Sequence, residues 1–166
     1  MADNKLQSLN EIFNQRFFRI PDFQRGYSWE EQQLQDFWED IENLKKGKLH
    51  YTGLLTVEQL KLDKVKHKES WMDDLWMFEA DMKAYYLIDG QQRLTTAIIL
   101  INEILQLIEP DGDLSFSPKS DWVKKYLYRS YKDKYKSFVF GYEKDNPSDE
   151  YFNCLLYTSP SPRDRG

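Results

Sequence analysis

The sequence predicts an α+β or mixed α/β fold, and three observations carry that reading. Two stretches repeat apolar residues at the helical period: Leu34, Phe37, Trp38, Ile41 and Leu44 in one, and Leu94, Ala97, Ile98, Ile101, Leu105 and Ile108 in the other. Around them lie short aromatic and β-branched runs with the character of strands. The 166 residues are 40% hydrophobic and 16% aromatic, enough apolar side chain to fill the core of one ordinary domain.

Ser8 is placed to cap a short helix carrying Leu9, Ile12 and Phe13 on one face. Phe17 to Ile20 reads as a strand that ends at Pro21, and Pro21 to Ser28 as a polar loop. The first long helix runs from about Trp29 to Lys46, with Ser28 as its cap, acids in its first turn and Gly47 as its stop. Tyr51 to Leu60 follows as a strand, then Lys61 to Asp74 as a charged, exposed hairpin loop. Leu75 to Phe78 and Lys83 to Ile88 read as two further strands. Asp89-Gly90 turns the chain into the second long helix, Arg93 to Ile108, whose wide apolar face predicts burial. Beyond Pro110 come a helix near Ser120 to Tyr131, a strand at Phe138 to Phe140, and a helix start near Ser148.

Composition narrows the function classes. The longest apolar run, Ala97 to Ile101, is far short of the ~18 residues of a membrane span, and the N-terminus carries no secretory signal pattern. One cysteine fits a reducing compartment, so the expected location is cytoplasmic. A net charge of −5 argues against a domain that grips DNA unaided. The Ser/Pro-rich segment 154–166 departs from the rest. Cys154 to Asp164 can be encoded by eleven codons that resemble a transposase adapter used in sequencing libraries, the bland alternative being a genuine Pro-containing linker. The expectation is therefore a non-native tail after Asn153 on a chain whose natural continuation is missing. Without Arg163, Arg165 and Asp164 the net charge becomes −6, and no cysteine remains.

The segment richest in chemistry is Ile88-Asp89-Gly90-Gln91-Gln92-Arg93-Leu94-Thr95-Thr96. A strand entering a buried helix through a glycine turn makes an anion site, because first-turn N–H groups lack partners and carry partial positive charge. Gly90 lets backbone approach an oxygen ligand. Arg93 offers a bidentate fork to phosphate, Gln91 and Gln92 donate or accept around it, and Thr95 or Thr96 can cap the helix or touch a metal-bound water. It is neither a Walker A loop nor a dinucleotide-binding fingerprint. The bland alternative is a plain turn with a solvated arginine. A second segment, Ile20-Pro21-Asp22-Phe23-Gln24-Arg25-Gly26-Tyr27-Ser28-Trp29, again presents Gln-Arg after a strand, with aromatics that either stack on a base or simply pack.

Together, IPDFQRGYSW and LIDGQQRLTT resemble the N-terminal domain of the GmrSD family of modification-dependent (type IV) restriction systems, over Leu6 to about Asn153. The resemblance implies a domain similar to the ParB/sulfiredoxin fold, with a small mixed sheet and packed helices. It would occupy residues 1–110, with the start of a truncated helical region at 111–153 and the foreign tail at 154–166. It also implies binding, and hydrolysis, of a nucleoside triphosphate with Mg²⁺, licensing DNA cleavage by a C-terminal nuclease that this chain lacks. Carried over by position, Gln24, Arg25, Asp89, Gly90, Gln91, Gln92, Arg93 and Thr95 would bind the nucleotide. Asp89, Gln91 and Gln92 would be the catalytic candidates, with Asp89 acting through Mg²⁺, and no protein metal centre is expected. The alternative is a non-hydrolysing, ParB-like nucleotide switch or DNA-binding regulator.

The remaining features read blandly. His50 and His67 stand alone on polar segments and are assigned to the surface. Lys61 to Lys68 is basic but is followed at once by acids, as in a solvated loop, and Asp73, Asp74, Glu79 and Asp81 fit no metal-binding spacing. The tyrosines Tyr126, Tyr128, Tyr131, Tyr135 and Tyr142 with interleaved lysines have the composition of a nucleic-acid surface, or of a face that packs onto more chain.

Overall fold

The fold assembles around β1 (Arg16–Ile20), whose Phe17, Phe18, Arg19 and Ile20 are all buried. Burial on both faces is what a strand between two parallel neighbours undergoes. In the computed structural model, which describes residues 5–144 and 146–158, four strands form one mixed sheet in the order β2-β3-β1-β8. Here β2 is Thr56–Leu60, β3 is Lys83–Asp89 and β8 is Phe140–Tyr142. β1 runs parallel to β3, with Phe18 opposite Tyr85, and parallel to β8, with Phe18 opposite Phe140. β2 lies antiparallel on the outer side of β3. The α+β class with a small mixed sheet is what the chain adopts.

Helices cover this sheet. α1 (Leu9–Ile12) is closed by a reciprocal pair in which Ser8 accepts from the Glu11 N–H and Glu11 accepts from the Ser8 N–H. α5 (Gln91–Gln106) follows β3 directly and buries Leu94, Ile98 and Leu105 in the shared core. Ile104 and Leu107 stay exposed, so its apolar face is used only in part. The chain then makes a small hairpin, β4 (Asp113–Leu114) with β5 (Ser117–Pro118), before α6 (Lys119–Tyr126). A second hairpin, β6 (Tyr128–Tyr131) with β7 (Tyr135–Phe138), leads into β8. α7 (Asp149–Thr158) packs on β8 through Phe152, whose ring lies edge-on to Phe140 and Tyr142.

Several elements differ from the sequence reading. The first long helix is shorter, α2 (Glu31–Glu42), and starts at Glu30, which shares a capping box with Gln33, rather than at Ser28. None of its residues is buried, and Leu34, Trp38 and Ile41 lie exposed. Of the strand expected over Tyr51 to Leu60, only β2 forms. Lys61 to Asp74 is not an exposed hairpin loop. It folds into α3 (Leu62–Val65) and a 3-10 helix, Glu69–Asp74, which bury Val65 and Trp71. Leu75 to Phe78 is helical, within α4 (Leu75–Glu79), because Met77 is drawn into the core from a single turn while Trp76 stacks on the β6–β7 hairpin. The helix expected to reach Tyr131 ends at Tyr126, and Phe138 to Phe140 divides between β7 and β8.

Residues 111–153 are therefore not purely helical, since they supply an edge strand of the central sheet. α7 continues through Asn153 into Cys154–Thr158, and Leu156 falls one turn after Phe152 on the buried side. Whatever its origin, the Leu155-Leu156 pair has the polarity a helix needs there. The rest of the segment expected to be foreign, 159–166, lies outside the described residues.

Two buried charged groups tie the sheet to its surroundings. The Arg19 guanidinium pairs with Asp74 at 2.8 Å and donates to the Phe18 and Phe138 carbonyls, joining β1 to the 3-10 helix and β7. Glu143, just past β8, accepts from Trp71 Nε1 at 2.7 Å, from the Asp22 N–H at 3.1 Å and from the Tyr86 hydroxyl. Burial, and then the Glu143 carboxylate, push the Tyr86 phenol well above its ordinary value.

Candidate functional site

β3 delivers the chain to Gly90, which adopts φ +88° and serves as the N-cap of α5. A side chain at that angle is strained, and a Cβ on Gly90 would stand 3.0 Å from the Leu54 carbonyl and collide with Leu55. The turn therefore requires glycine twice over. Asp89 folds back to accept from the Gly90 N–H at 2.9 Å, and its carboxylate is otherwise exposed. No side chain caps α5, so its first-turn N–H groups point outward with the positive end of the helix dipole.

The two sequence motifs meet here. The Gln92 side chain clasps the loop after β1 at two points: its Nε2 donates to the Gly26 carbonyl at 3.2 Å and its Oε1 accepts from the Ser28 N–H at 2.9 Å. In effect the amide stands in for a missing strand neighbour. Gln91 Nε2 donates to the Ile88 carbonyl at 2.6 Å and to Gln24 Oε1 at 3.2 Å. Thr96 donates to the Gln92 carbonyl at 2.8 Å and meets the Tyr27 hydroxyl at 2.9 Å. The motif residues of α5 thus fix the position of the Gln24-to-Trp29 loop.

The arginines are disposed differently. Arg25 is exposed and makes no ion pair among the described residues. Arg93 is also exposed, and its guanidinium donates to the Thr52 carbonyl at 2.6 Å beside Gly53, where any side chain would overlap it. Arg93 lines a cleft of about 220 Å³ with Trp29, Phe37, Asp36, Asp40 and His50. Thr95 is fully buried, 3.4 Å from the Tyr142 hydroxyl, and burial pushes that phenol up in spite of the Thr95 bond. Of the expected nucleotide residues, Gln24 and Gln91 are joined by a hydrogen bond, and Gln92 binds the same loop through the Gly26 and Ser28 backbone. Among the described residues neither Arg25 nor Arg93 hydrogen-bonds to those side chains, and Arg93 is taken up by the Thr52 carbonyl.

The sequence reading missed the other half of the loop's support. The Asn146 amide, buried, donates to the Pro21 carbonyl at 2.9 Å and the Gln24 carbonyl at 3.1 Å, while its Oδ1 accepts from the Ser148 N–H. The Ser148 hydroxyl accepts from the Tyr27 N–H at 2.9 Å. With Glu143 on Asp22, this turn grips the loop opposite α5. Its one sequence signal was Asn146-Pro147-Ser148, a turn pattern directly after an aromatic strand.

A loop after one strand, clasped by glutamines at a glycine-started helix after a neighbouring parallel strand, gives both motifs one structural purpose. The family described as GmrSD restriction endonuclease, N-terminal domain, matches residues 7–162. The chain belongs to that family. No curated protein matches it. The match takes in both GmrSD motifs and the Asn146–Ser148 turn, and it extends into the segment after Asn153.

The other candidate features of this GmrSD domain divide cleanly. His50 and His67 are both on the surface, His50 lying 3.5 Å from Asp40. Asp74 and Asp73 serve as partners of Arg19 and Lys144. In the tyrosine series Tyr126 and Tyr142 are buried, whereas Tyr131 and Tyr135 of the β6–β7 hairpin stack on Trp76 and remain half exposed. Among the described residues no helix is long and apolar enough to cross a membrane.

Proposed function

We propose that this domain binds a nucleoside triphosphate with Mg²⁺ and hydrolyses it, and that the nucleotide state governs DNA cleavage by a nuclease region beyond this chain. The observation that carries the reading is the uncapped start of α5 after a left-handed glycine, flanked by an exposed carboxylate at Asp89 and an exposed guanidinium at Arg93. Phosphate oxygens suit the first-turn N–H groups. Arg93 would add a charge-assisted fork, exchanging its neutral Thr52 carbonyl partner for an anion. Asp89 would hold Mg²⁺ between itself and the phosphates, since a bare carboxylate beside phosphate is repelled. Gln24 and Arg25 would close over the nucleotide from the loop.

Titration of the protein with Mg²⁺ and a nucleoside triphosphate tests this. Binding is expected, and Arg93→Ala is expected to weaken it by about ten- to a hundred-fold, the effect of losing ~1.5–3 kcal/mol of charged hydrogen bonding. Unchanged affinity in that variant would remove Arg93 from the site.

A second reading, a nucleotide switch without turnover, is favoured by one observation. The Gln92 amide is engaged at both ends and the Gln91 Nε2 is shared by two acceptors, which leaves Gln91 Oε1 as the one amide atom of the pair placed to accept from an attacking water. Phosphate release under saturating nucleotide separates the two readings. Turnover supports the hydrolase, and binding without release supports the switch.

A further inference from the structure

The second halves of both motifs take no part in the phosphate site, yet they face one another. Tyr27 and Trp29 from the loop, and Thr95, Thr96 and Ile99 from α5, line a mostly apolar cavity of about 390 Å³, with Tyr142 of β8 behind them. That volume lies in the range of small-molecule sites, and rings with a few hydroxyls are the lining such sites use.

Its position follows from helix geometry. Thr95 and Thr96 stand four residues after Gln91 and Gln92, on the same face and about 6 Å further along the axis at 1.5 Å per residue. A ligand held at the first turn of α5 has about a sugar's length to span to reach the cavity, passing the Gln92 side chain where it bonds the Gly26–Ser28 loop. Trp29 is braced there, edge-on to Phe37 at 5.8 Å, presenting indole to whatever enters.

The hydroxyls are set in a definite sense. Thr96 spends its proton on the Gln92 carbonyl, so the Tyr27 hydroxyl must donate to Thr96 and offers the cavity only a lone pair. In the Thr95–Tyr142 pair one hydroxyl donates to the other, which leaves one proton unspent. The walls thus provide an acceptor, a donor and aromatic surface.

We propose that this cavity holds the heterocyclic base of the nucleotide. The inference rests on the nucleotide reading above and adds to it where the base lies and how it is read. Each common base has both an N–H or amino donor and a carbonyl or ring-nitrogen acceptor, so a site with one of each admits all four. Stacking on Trp29 supplies the attraction, and base identity changes affinity little.

The test is calorimetric titration of the full chain with Mg²⁺ and ATP, GTP, CTP, UTP or inorganic tripolyphosphate. All four nucleotides should bind within about tenfold of one another and about tenfold or more above tripolyphosphate, the gain expected of one stacked base. Ile99→Phe, which fills the cavity away from the first turn of α5, should erase that margin and leave tripolyphosphate affinity unchanged. Trp29→Leu serves the same purpose if Ile99→Phe does not fold, and should reduce the margin. Equal binding of tripolyphosphate and nucleotides by the unaltered protein, or a margin that survives a folded variant, overturns the base site while the phosphate site stands. Failure of every ligand to bind overturns both.

Discussion

Asn146 shows how much a single side chain can govern here. Its buried amide satisfies two carbonyls of the Gln24 loop, that of Pro21 fully buried, and one N–H of its own turn. Replacing it with alanine removes the side-chain donor from the Gln24 carbonyl and leaves the Pro21 carbonyl with only the Gln24 N–H. Asn146→Ala should therefore lower stability by about 1–3 kcal/mol, read from urea unfolding. Because the loop would then keep only Ser148 and Glu143 as partners opposite α5, the same variant should also weaken Mg²⁺–nucleotide binding under conditions where it remains folded. A variant that loses stability with unchanged binding would separate the turn from the site. Gln92 works by the same logic from the opposite side. It was selected in the sequence as a catalytic candidate, and the structure uses both ends of its amide for positioning.

At the scale of elements, burial sorts what periodicity cannot. The stripe of α2 and the spacing of α5 look equally helical in sequence, yet α5 is packed against the sheet while Trp38 on α2 is 51% exposed. Trp71, in a segment dominated by charge, is completely buried and donates to Glu143. Trp38→Ser is therefore expected to change stability by no more than about 0.5 kcal/mol. Trp71→Ala should cost about 3–5 kcal/mol, with both values taken from denaturant midpoints. The contrast also marks what was legible in the sequence. β1, β3, α5 and the two motifs announce themselves through local pattern, because each carries its own periodicity or turn chemistry. The depth of Trp71 does not, since Val65 lies among lysines and Trp71 stands beside Met72, which stays exposed, so that each becomes core only when β3 and Glu143 arrive around it. The contact between the motifs was equally hidden, for hydrogen bonds between Gln92 and the Gly26–Ser28 backbone leave no trace in residue spacing.

Across the whole molecule, buried phenols set a limit on the alkaline side. Tyr86, Tyr126 and Tyr142 are all raised above the ordinary 10.0, chiefly by burial and in Tyr86 also by Glu143. Folded protein therefore keeps these protons at pH values where unfolded chain releases them. The stability they contribute is fully present below about pH 10 and is lost as pH rises through their folded values. Lys144, raised mainly by its hydrogen bond to Asp73, acts in the same direction from 10.5 upward. Urea midpoints should be level between about pH 8 and 10 and fall above that, with a shallower alkaline decline in Tyr86→Phe. An equally steep decline in that variant would assign the effect to other groups.

The sheet order has a consequence for how the protein is made. β1 emerges early from the ribosome, yet its two neighbours lie at Lys83–Asp89 and Phe140–Tyr142, and the Glu143–Ser148 turn comes later still. Such distant pairings make for slow closure, and until they form the aromatic strand Phe17–Phe18 has no place to hide. A nascent chain stalled before residue 140 should recruit chaperones. It should also be unable to hold the Gln24–Trp29 loop, so that the site becomes competent only as synthesis of this region finishes.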